Sequence, residues 1–487
     1  MYSRKVSRKL TDINNSDEEG SNGSNGSSSY FDSDESLSED DEREVSQGIV
    51  GEIYSNKYIC IKYLGKGTFS RVWLVYDIIT ESFCAMKVIY SKYKEEAEHE
   101  IEMYKNLGNK YNHVTKYIDS FLLNDEICIV TELMGICLID LFKYYSIQQE
   151  QEQVKRKWYE FSVVNDLIPR EIVKKIFKDL FIGLHELHRK SIVHTDIKPE
   201  NVMINIYQNK IIKIKEWFLS SGILEIYKKK FMEILPDNFA NMEQSKRKLV
   251  KKKCRIKALN LITDEVRLIV GEYHKNNRMK ETEQANNIID IEDVSDIEID
   301  TVSEDELFTL IPINEITAKI IDLGNAELID NFENEFIQLR CYRPPENILH
   351  EFFNTKADIW SMGCVFFETL TGDYLFDIDH EKYNDSLERD RELLVQMYNT
   401  LGEMKIDDVC RSMYKDDLFI KNSNKIKDVS SDRLYRKSIR ELLRDSPAKI
   451  TGRELESLTD LFNSIFEYDL DKRSEAAKIL EHSYFNN

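Results

Sequence analysis

The spacing of apolar positions divides the chain into stretches of different character. Residues 58–90, YICIKYLGKGTFSRVWLVYDIITESFCAMKVIY, hold β-branched and aromatic residues in short runs broken by glycine-bearing and Thr-Glu-Ser segments. That pattern predicts three antiparallel strands. From Lys94 to Leu107 the apolar positions are 97, 101, 104 and 107, a helical spacing, and ICIVTEL (127–133) returns to strand. Pro169 opens a second helix whose stripe is Ile172, Ile176, Phe177, Leu180, Leu184 and Leu187. Before it, Gln148 to Trp158 reads as a small polar surface insertion.

Other stretches lack such a period. Residues 1 to about 50 combine Asn/Gly/Ser repeats with an acidic, serine-dotted run from Asp32 to Glu44. This composition cannot offset its ordering entropy, so a disordered tail is expected. From Lys210 to Pro312 a mixed segment, a basic run (Lys246 to Lys257) and an acidic run (Asp290 to Glu306) follow one another, which predicts a largely flexible spacer interrupting a domain. The basic run could serve as an import signal or form a surface helix. Globular patterning resumes at Ile316 and reaches the end through a charged helical excursion, Asp379 to Ile450.

Composition narrows the class. At 487 residues the chain suits several domains or one large two-lobed domain, and 41% apolar residues suffice for a sizeable core. A formal charge of −21 argues against a general nucleic-acid surface and suits a basic substrate or partner. The eight cysteines form no CxxC pair, so neither a zinc site nor a disulfide framework is suggested and a reducing, intracellular compartment is expected. The N-terminus has no apolar signal core, and no apolar run is long enough to cross a bilayer.

Candidate chemistry centres on HTDIKPEN, His194 to Asn201, a polar loop between apolar runs. A kinase catalytic loop requires an Asp to accept the proton of a substrate hydroxyl and, five residues on, an Asn to hold Mg²⁺ beside nucleotide phosphates. Asp196 and Asn201 meet that spacing, although alone the string also describes a solvated turn cornered at Pro199. Gly65-Lys66-Gly67-Thr68-Phe69-Ser70-Arg71-Val72 lies between two expected strands, where its glycines would let backbone amides approach phosphates. A plain hairpin turn is the competing reading. Lys87 falls inside the next strand and needs an anionic partner there, for which Glu100 is better placed than Glu96 or Glu98. Asp322-Leu-Gly324 follows the apolar strand Lys319 to Ile321, so its carboxylate emerges at a strand end. Glu346, Asp358 and Arg473 are expected braces: an Arg473–Glu346 ion pair and an Asp358 contact to the catalytic loop. The joint order of these strings points to a eukaryotic protein-kinase fold.

More specific features follow. Ser70 in place of a third glycine, VWL after it, Thr195 in HTDIKPEN, DLGNA and IQLRCYRPPE make the chain resemble the SR-protein kinase family, which phosphorylates serines in Arg-Ser-rich segments. The resemblance covers about Tyr58 to Asn205 and Ile316 to Phe485, and the family too splits its kinase domain with a spacer. It implies that Asp196 is the catalytic base and Lys198 the phosphate-neutralising lysine. Asn201 and Asp322 would be the Mg²⁺ ligands, and Lys87 with Glu100 the nucleotide-positioning pair. Thr131 would guard the back of the adenine pocket, Glu132 and Met134 would lie in the hinge, and Leu64 to Val72 with Ala85 would be further nucleotide-binding positions. Leu339 departs from the family, which has threonine there to brace the catalytic Asp and Lys; reduced activity would follow. No serine or threonine occurs from Asp322 to Glu346, and Thr195 replaces the arginine that usually receives an activating phosphate, so constitutive competence is expected. Asp407, Asp408, Asp416 and Asp417 resemble an acidic docking region, with a solvated charged surface as the alternative, and Ser3 and Ser7, each before an arginine, are candidate autophosphorylation sites.

The expected architecture is α+β and bilobal: a small five-stranded β lobe with one helix (53–133), then a larger helical lobe (134–209 and 313–487), with ATP between. The tail (1–52) and the spacer (210–312) complete the division. The expected activity is transfer of the ATP γ-phosphate, with Mg²⁺, to Ser/Thr of Arg/Ser-rich or basic protein substrates. A monomer is expected, without nucleic-acid or membrane partners, in the cytoplasm or nucleus. A nucleotide-binding pseudokinase scaffold and a LAMMER-type dual-specificity kinase are the alternatives.

Overall fold

A computed structural model describes residues 49–145, 167–288, 308, 311–329, 337–378, 382–383, 385–405 and 414–486. The tail, the Gln148–Trp158 piece, the acidic run 290–306, Asp407 and Asp408 lie outside the described residues. The first lobe is an antiparallel sheet of six strands in the order β1-β2-β3-β4-β6-β5: β1 (Ile53–Tyr54), β2 (Tyr58–Gly67), β3 (Ser70–Asp77), β4 (Ser82–Ile89), β5 (Tyr117–Leu123) and β6 (Glu126–Glu132). One strand more than expected is present, because Ile53 and Tyr54 pair with Ile59 and Tyr58. Helix α1 (Lys94–Leu107) packs Ala97 and Ile101 against Ile89, Ile127 and Ile129 and ends where Gly108 turns out of helical geometry.

The second lobe is helical. Helix α2 (Arg170–His188) buries all six residues of its expected stripe and delivers the chain to β7 (Ile192–Val193), the catalytic-loop region and β8 (Val202–Ile204). Further on come β9 (Ala318–Ile320), which pairs with β8, and β10 (Glu327–Leu328), which pairs with β7. In the lobe's centre, α6 (Lys356–Thr371) has every residue from Ala357 to Thr371 buried. A side chain at Gly363 would meet Ile465 Cγ2 at 2.4 Å, so glycine is what lets the chain after α6 close on helix α8 (Gly452–Ile465). Helix α7 (Ser386–Leu401) lies between them in the chain. Buried Arg473 makes a two-pronged bond to Glu346, at 2.7 and 2.9 Å, as the motif order suggested.

The spacer departs from expectation. Instead of a largely flexible segment, residues 209–288 form α3 (Asn209–Ser220), α4 (Ile223–Ile234) and α5 (Gln244–Ile288). Their apolar residues, Ile211, Ile214 and Phe218, then Ala258, Leu259, Ile262, Val266 and Val270, recur at helical spacing among many charges. All of these but Ile211 pack with Ile59, Ile61, Leu74 and Tyr76 of the sheet and with Ile78 just after β3. Phe218 meets Tyr76 and Phe83 at 4.9 and 5.8 Å, and Trp217 stacks on Tyr273 at 3.8 Å. Arg267 on α5 holds Glu52 at 2.6 and 2.9 Å, and His274 donates to the Ile61 carbonyl at 2.7 Å. At the root of the insert, the Tyr207 hydroxyl bonds the Leu133 carbonyl at 3.0 Å. The basic run is therefore the exposed first part of α5, with Cys254, Ala258 and Leu259 turned inward. Among the described residues no helix is long and apolar enough to cross a membrane.

Because Phe218 is fully buried, Phe218→Ala should destabilise the protein by roughly 3–5 kcal/mol, the scale of an aromatic truncated inside a core. Urea unfolding monitored by tryptophan fluorescence measures it. A change under about 1 kcal/mol would show the helices to be spectators.

Candidate active site

The catalytic loop is built on a buried carboxylate. Asp358, the third residue of α6, is fully buried and accepts from the backbone N–H groups of His194 (2.8 Å) and Thr195 (3.0 Å) and from His188 Nε2 (3.0 Å). Thr195 sits at φ +65°, a left-handed conformation costly for a β-branched residue. Two bonds from one rigid helix hold it there. His194 in turn joins its ring to the Ile321 carbonyl at 2.9 Å, tying this loop to the residue before Asp322.

Asp196 follows with its carboxylate in a ring of donors: Lys198 Nζ at 2.9 Å, Asn201 Nδ2 at 3.2 Å and Asn325 Nδ2 at 3.4 Å. Pro199 starts the single tight turn that brings Asn201 back, and Asn201 Nδ2 also bonds the Asp196 carbonyl at 2.8 Å. That fixes the amide orientation and leaves its oxygen for another ligand. Asn325 escaped the sequence reading. Its only signal was the asparagine of DLGNA, read there as a mark of resemblance.

Across the cleft, Lys87 on β4 reaches Glu100 of α1 at 2.9 Å and Asp322 at 3.1 Å. Burial pulls the Lys87 ammonium towards its neutral form, but the two carboxylates outweigh it and hold its pKa above the usual value. Burial raises Glu100, against the lysine's opposing charge. Asp322, less enclosed, is held below its usual range: the Lys87 charge and bond overcome the effect of burial. The expected Lys87–Glu100 pair is assembled and Asp322 joins it, although 235 positions separate Lys87 from Asp322.

The glycine-bearing segment is the β2–β3 hairpin, with Gly65 paired to Val72, Gly67 to Ser70, and Thr68-Phe69 at its tip. No atom lies within 4 Å of where a Gly65 side chain would project, and at Gly67 only Ser70 does. The tip is fastened: the Phe69 carbonyl accepts from the Tyr90 N–H at 3.1 Å, and its ring meets Tyr93 at 4.6 Å. Lys66 and Thr68 are exposed, and Ser70 is buried. Arg71 is turned elsewhere, in a two-pronged pair with Glu126 at 2.9 and 2.8 Å, so its side chain braces the sheet. Ala85 pairs with Thr131 and Leu74 and shares a face with Lys87, as cross-strand partners and alternate residues must. Leu64 packs at the edge of the insert's core. Met134, just after β6, is buried, and Glu132 Oε1 accepts from Lys319 Nζ at 2.5 Å and the Lys116 N–H at 2.8 Å, while the Glu132 N–H donates to the Lys116 carbonyl at 3.1 Å.

The donor set fits the group that the motifs imply. An amide oxygen at Asn201 and a carboxylate at Asp322 are hard oxygen ligands of the kind Mg²⁺ prefers, and the open glycines leave room for phosphate oxygens.

The end of the Asp322–Glu346 stretch is anchored by side chains. Arg340 pairs with buried Asp390 of α7, and Arg343 bonds the Gln338 carbonyl at 2.9 Å. The Tyr342 hydroxyl donates to Glu368 at 2.8 Å. Leu339 is 47% exposed, so the position that carries threonine in the resembling family presents an aliphatic group to solvent. Asp416 and Asp417 occupy a short helix, Lys415–Leu418, without an acidic groove being defined by the described residues.

The protein kinase domain matches residues 58–236 and 309–485, and the chain belongs to that family. Within it, the chain is similar to kinases of the SRPK family. The serine/threonine-protein kinase SRPK of Physarum polycephalum is 27% identical over 94% of this chain and 93% of its own length. Protein kinase dsk1 of Schizosaccharomyces pombe is 28% identical over 71% of this chain and 67% of its own. The dual specificity protein kinase lkh1 of the same yeast is 24% identical over 89% of this chain and 47% of its own. The first segment of the domain match ends just past α4, so α3 and all of α4 lie inside it.

Glu368 supplies a pH test. Burial beneath the activation segment raises its pKa to about 7, with the Tyr342 bond opposing and Glu200 adding to the rise. The stability this group lends is complete below its ordinary value of 4.5 and is lost as pH climbs through about 7. Relative to wild type, Glu368→Gln should therefore gain on the order of 2 kcal/mol between pH 5 and pH 8 in urea unfolding. Parallel pH profiles for the two proteins would remove this assignment.

Proposed function

We propose that the protein is an ATP-dependent serine/threonine protein kinase acting on basic, Arg/Ser-rich segments of protein substrates. The observation that carries this is the meeting of Lys87, Glu100 and Asp322 in one ion-paired cluster, with the Asp196–Lys198–Asn201 ring linked to it through His194 and Ile321. The SRPK relatives and the acidic charge of −21 support the substrate class.

In this reading the Asp196 carboxylate orients the substrate hydroxyl and takes its proton, while Lys198, already at 2.9 Å, neutralises charge on the transferring phosphoryl group. Lys87 holds the nucleotide phosphates and is itself positioned by Glu100. Asn201 and Asp322 would hold Mg²⁺, which would supply electrostatic stabilisation of the phosphate oxygens. Catalysis is then mostly placement, with Asn325 adding the third donor to Asp196 where Leu339 has no hydroxyl to offer.

Purified protein with radiolabelled MgATP should phosphorylate an Arg-Ser repeat peptide in preference to an acidic serine peptide and a generic basic protein. Asp196→Asn should lower turnover by roughly a hundredfold or more. Labelling that is equal in the variant would overturn the assignment. Nucleotide-dependent thermal stabilisation without labelling would make it a scaffold, and tyrosine labelling would make it dual-specific.

The Asp322 to Glu346 stretch carries no serine or threonine, and side chains anchor its end, so competence without an activating phosphate belongs to the same proposal. Phosphatase treatment should leave the rate unchanged. Loss of activity, with the removed phosphate mapped to this stretch by mass spectrometry, would contradict it.

A further inference from the structure

We infer that His99 of α1 is a positioning residue that fastens the helix carrying Glu100 to the start of the activation segment; this rests on the kinase reading above. Adjacent positions on a helix point about 100° apart, so while Glu100 reaches inward to Lys87, His99 points along the flank of α1. There its Nε2 donates to the Ala326 carbonyl at 2.6 Å, and the same nitrogen lies 3.8 Å from Glu327 Oε1. The strip it grips is the one that begins at Asp322.

That strip is held from two sides. Thr195 of the catalytic loop donates its hydroxyl to the Asn325 carbonyl at 2.6 Å, and His99 takes the next carbonyl, that of buried Ala326. Beyond it, Glu327 and Leu328 pair with Val193 and Ile192 just ahead of the catalytic loop, and the Ile329 N–H bonds the Ser191 carbonyl at 2.9 Å. Asp322 itself stands at φ +62° and turns Oδ1 to the Gly324 N–H at 3.3 Å. A left-handed aspartate is retained only where its surroundings define it, and here one jaw of the surrounding clamp is the helix that also presents Glu100. Phosphate esters on serine or threonine between Asp322 and Glu346 cannot provide this link, because the chain has none there. His99 makes the link directly, so α1 and the Asp322 strip move together.

The length of the side chain gives the test. The glutamine amide nitrogen falls where histidine has Nε2, whereas the asparagine amide falls where it has Nδ1. His99→Ala and His99→Asn should lower kcat about tenfold and raise KM for MgATP, the scale of one lost hydrogen bond, with KM for the peptide and the melting temperature unchanged. His99→Gln should return kcat to within about threefold of wild type. Amide hydrogen exchange across residues 322–328 should be faster in the alanine and asparagine variants and restored by glutamine. Exchange needs no turnover, so it decides the matter even if the wild type labels no substrate, a result that would count against the kinase reading alone. Should His99→Ala fail to fold, the glutamine and asparagine variants make the same comparison. Equal kcat and equal exchange in all variants, or a glutamine variant as impaired as the asparagine one, would overturn the proposal.

Discussion

Everything at the site depends on one buried carboxylate. Asp358 is fully buried, so its charge must be satisfied by donors, and its donors are two consecutive backbone amides of the catalytic loop and the ring of His188. Satisfying the charge and bending the loop are the same event. Thr195 takes its left-handed turn because both its own amide and that of His194 must face one carboxylate group, and the turn aims Asp196 into the cleft. The Thr195 carbonyl then receives the Gln338 N–H at 3.0 Å, where Gln338 is also left-handed at φ +66°. Three left-handed residues, Thr195, Asp322 and Gln338, thus lie along the bonds that spread from this carboxylate through His194 and Thr195.

The cleft is an electrostatic balance between lobes. Lys87 belongs to the sheet, Glu100 to α1 and Asp322 to the strip after β9, and the buried Glu100 carboxylate needs the lysine that Asp322 shares. The opposite directions in which Glu100 and Asp322 are shifted reflect position: the first is enclosed, the second opens to where a cation would bind. A ligand bringing phosphate and Mg²⁺ would enter a set of charges already arranged to receive them.

Much of this was legible in the sequence where local pattern and chemistry agreed. Lys94 to Leu107 is helical over the residues that its apolar spacing indicated, and Lys87, Glu100 and Asp322 converge as their strand-end and helix-face placement required. Arg473 and Glu346 were paired by motif order alone. What remained hidden is instructive. Arg71 sits inside a phosphate-binding motif, yet its partner Glu126 is set by strand register, which a linear string does not contain. Asn325 and Lys319 act through partners more than a hundred residues away. The insert was expected to be flexible because its successive charge runs masked a helical period: Ile214, Phe218, Ile262 and Val266 recur at that spacing, and the sheet they cover gives them a reason.

That last feature bears on how the chain tolerates shortening. Removing residues 209–288 as though they were a tether would strip Leu74, Tyr76 and Phe83 of their cover and leave an aromatic, β-edged face bare in the smaller lobe. Such faces invite self-association. Insertions and cuts are better tolerated where few apolar contacts cross, so the length of this protein is constrained by the roof of its own cleft as much as by its catalytic machinery.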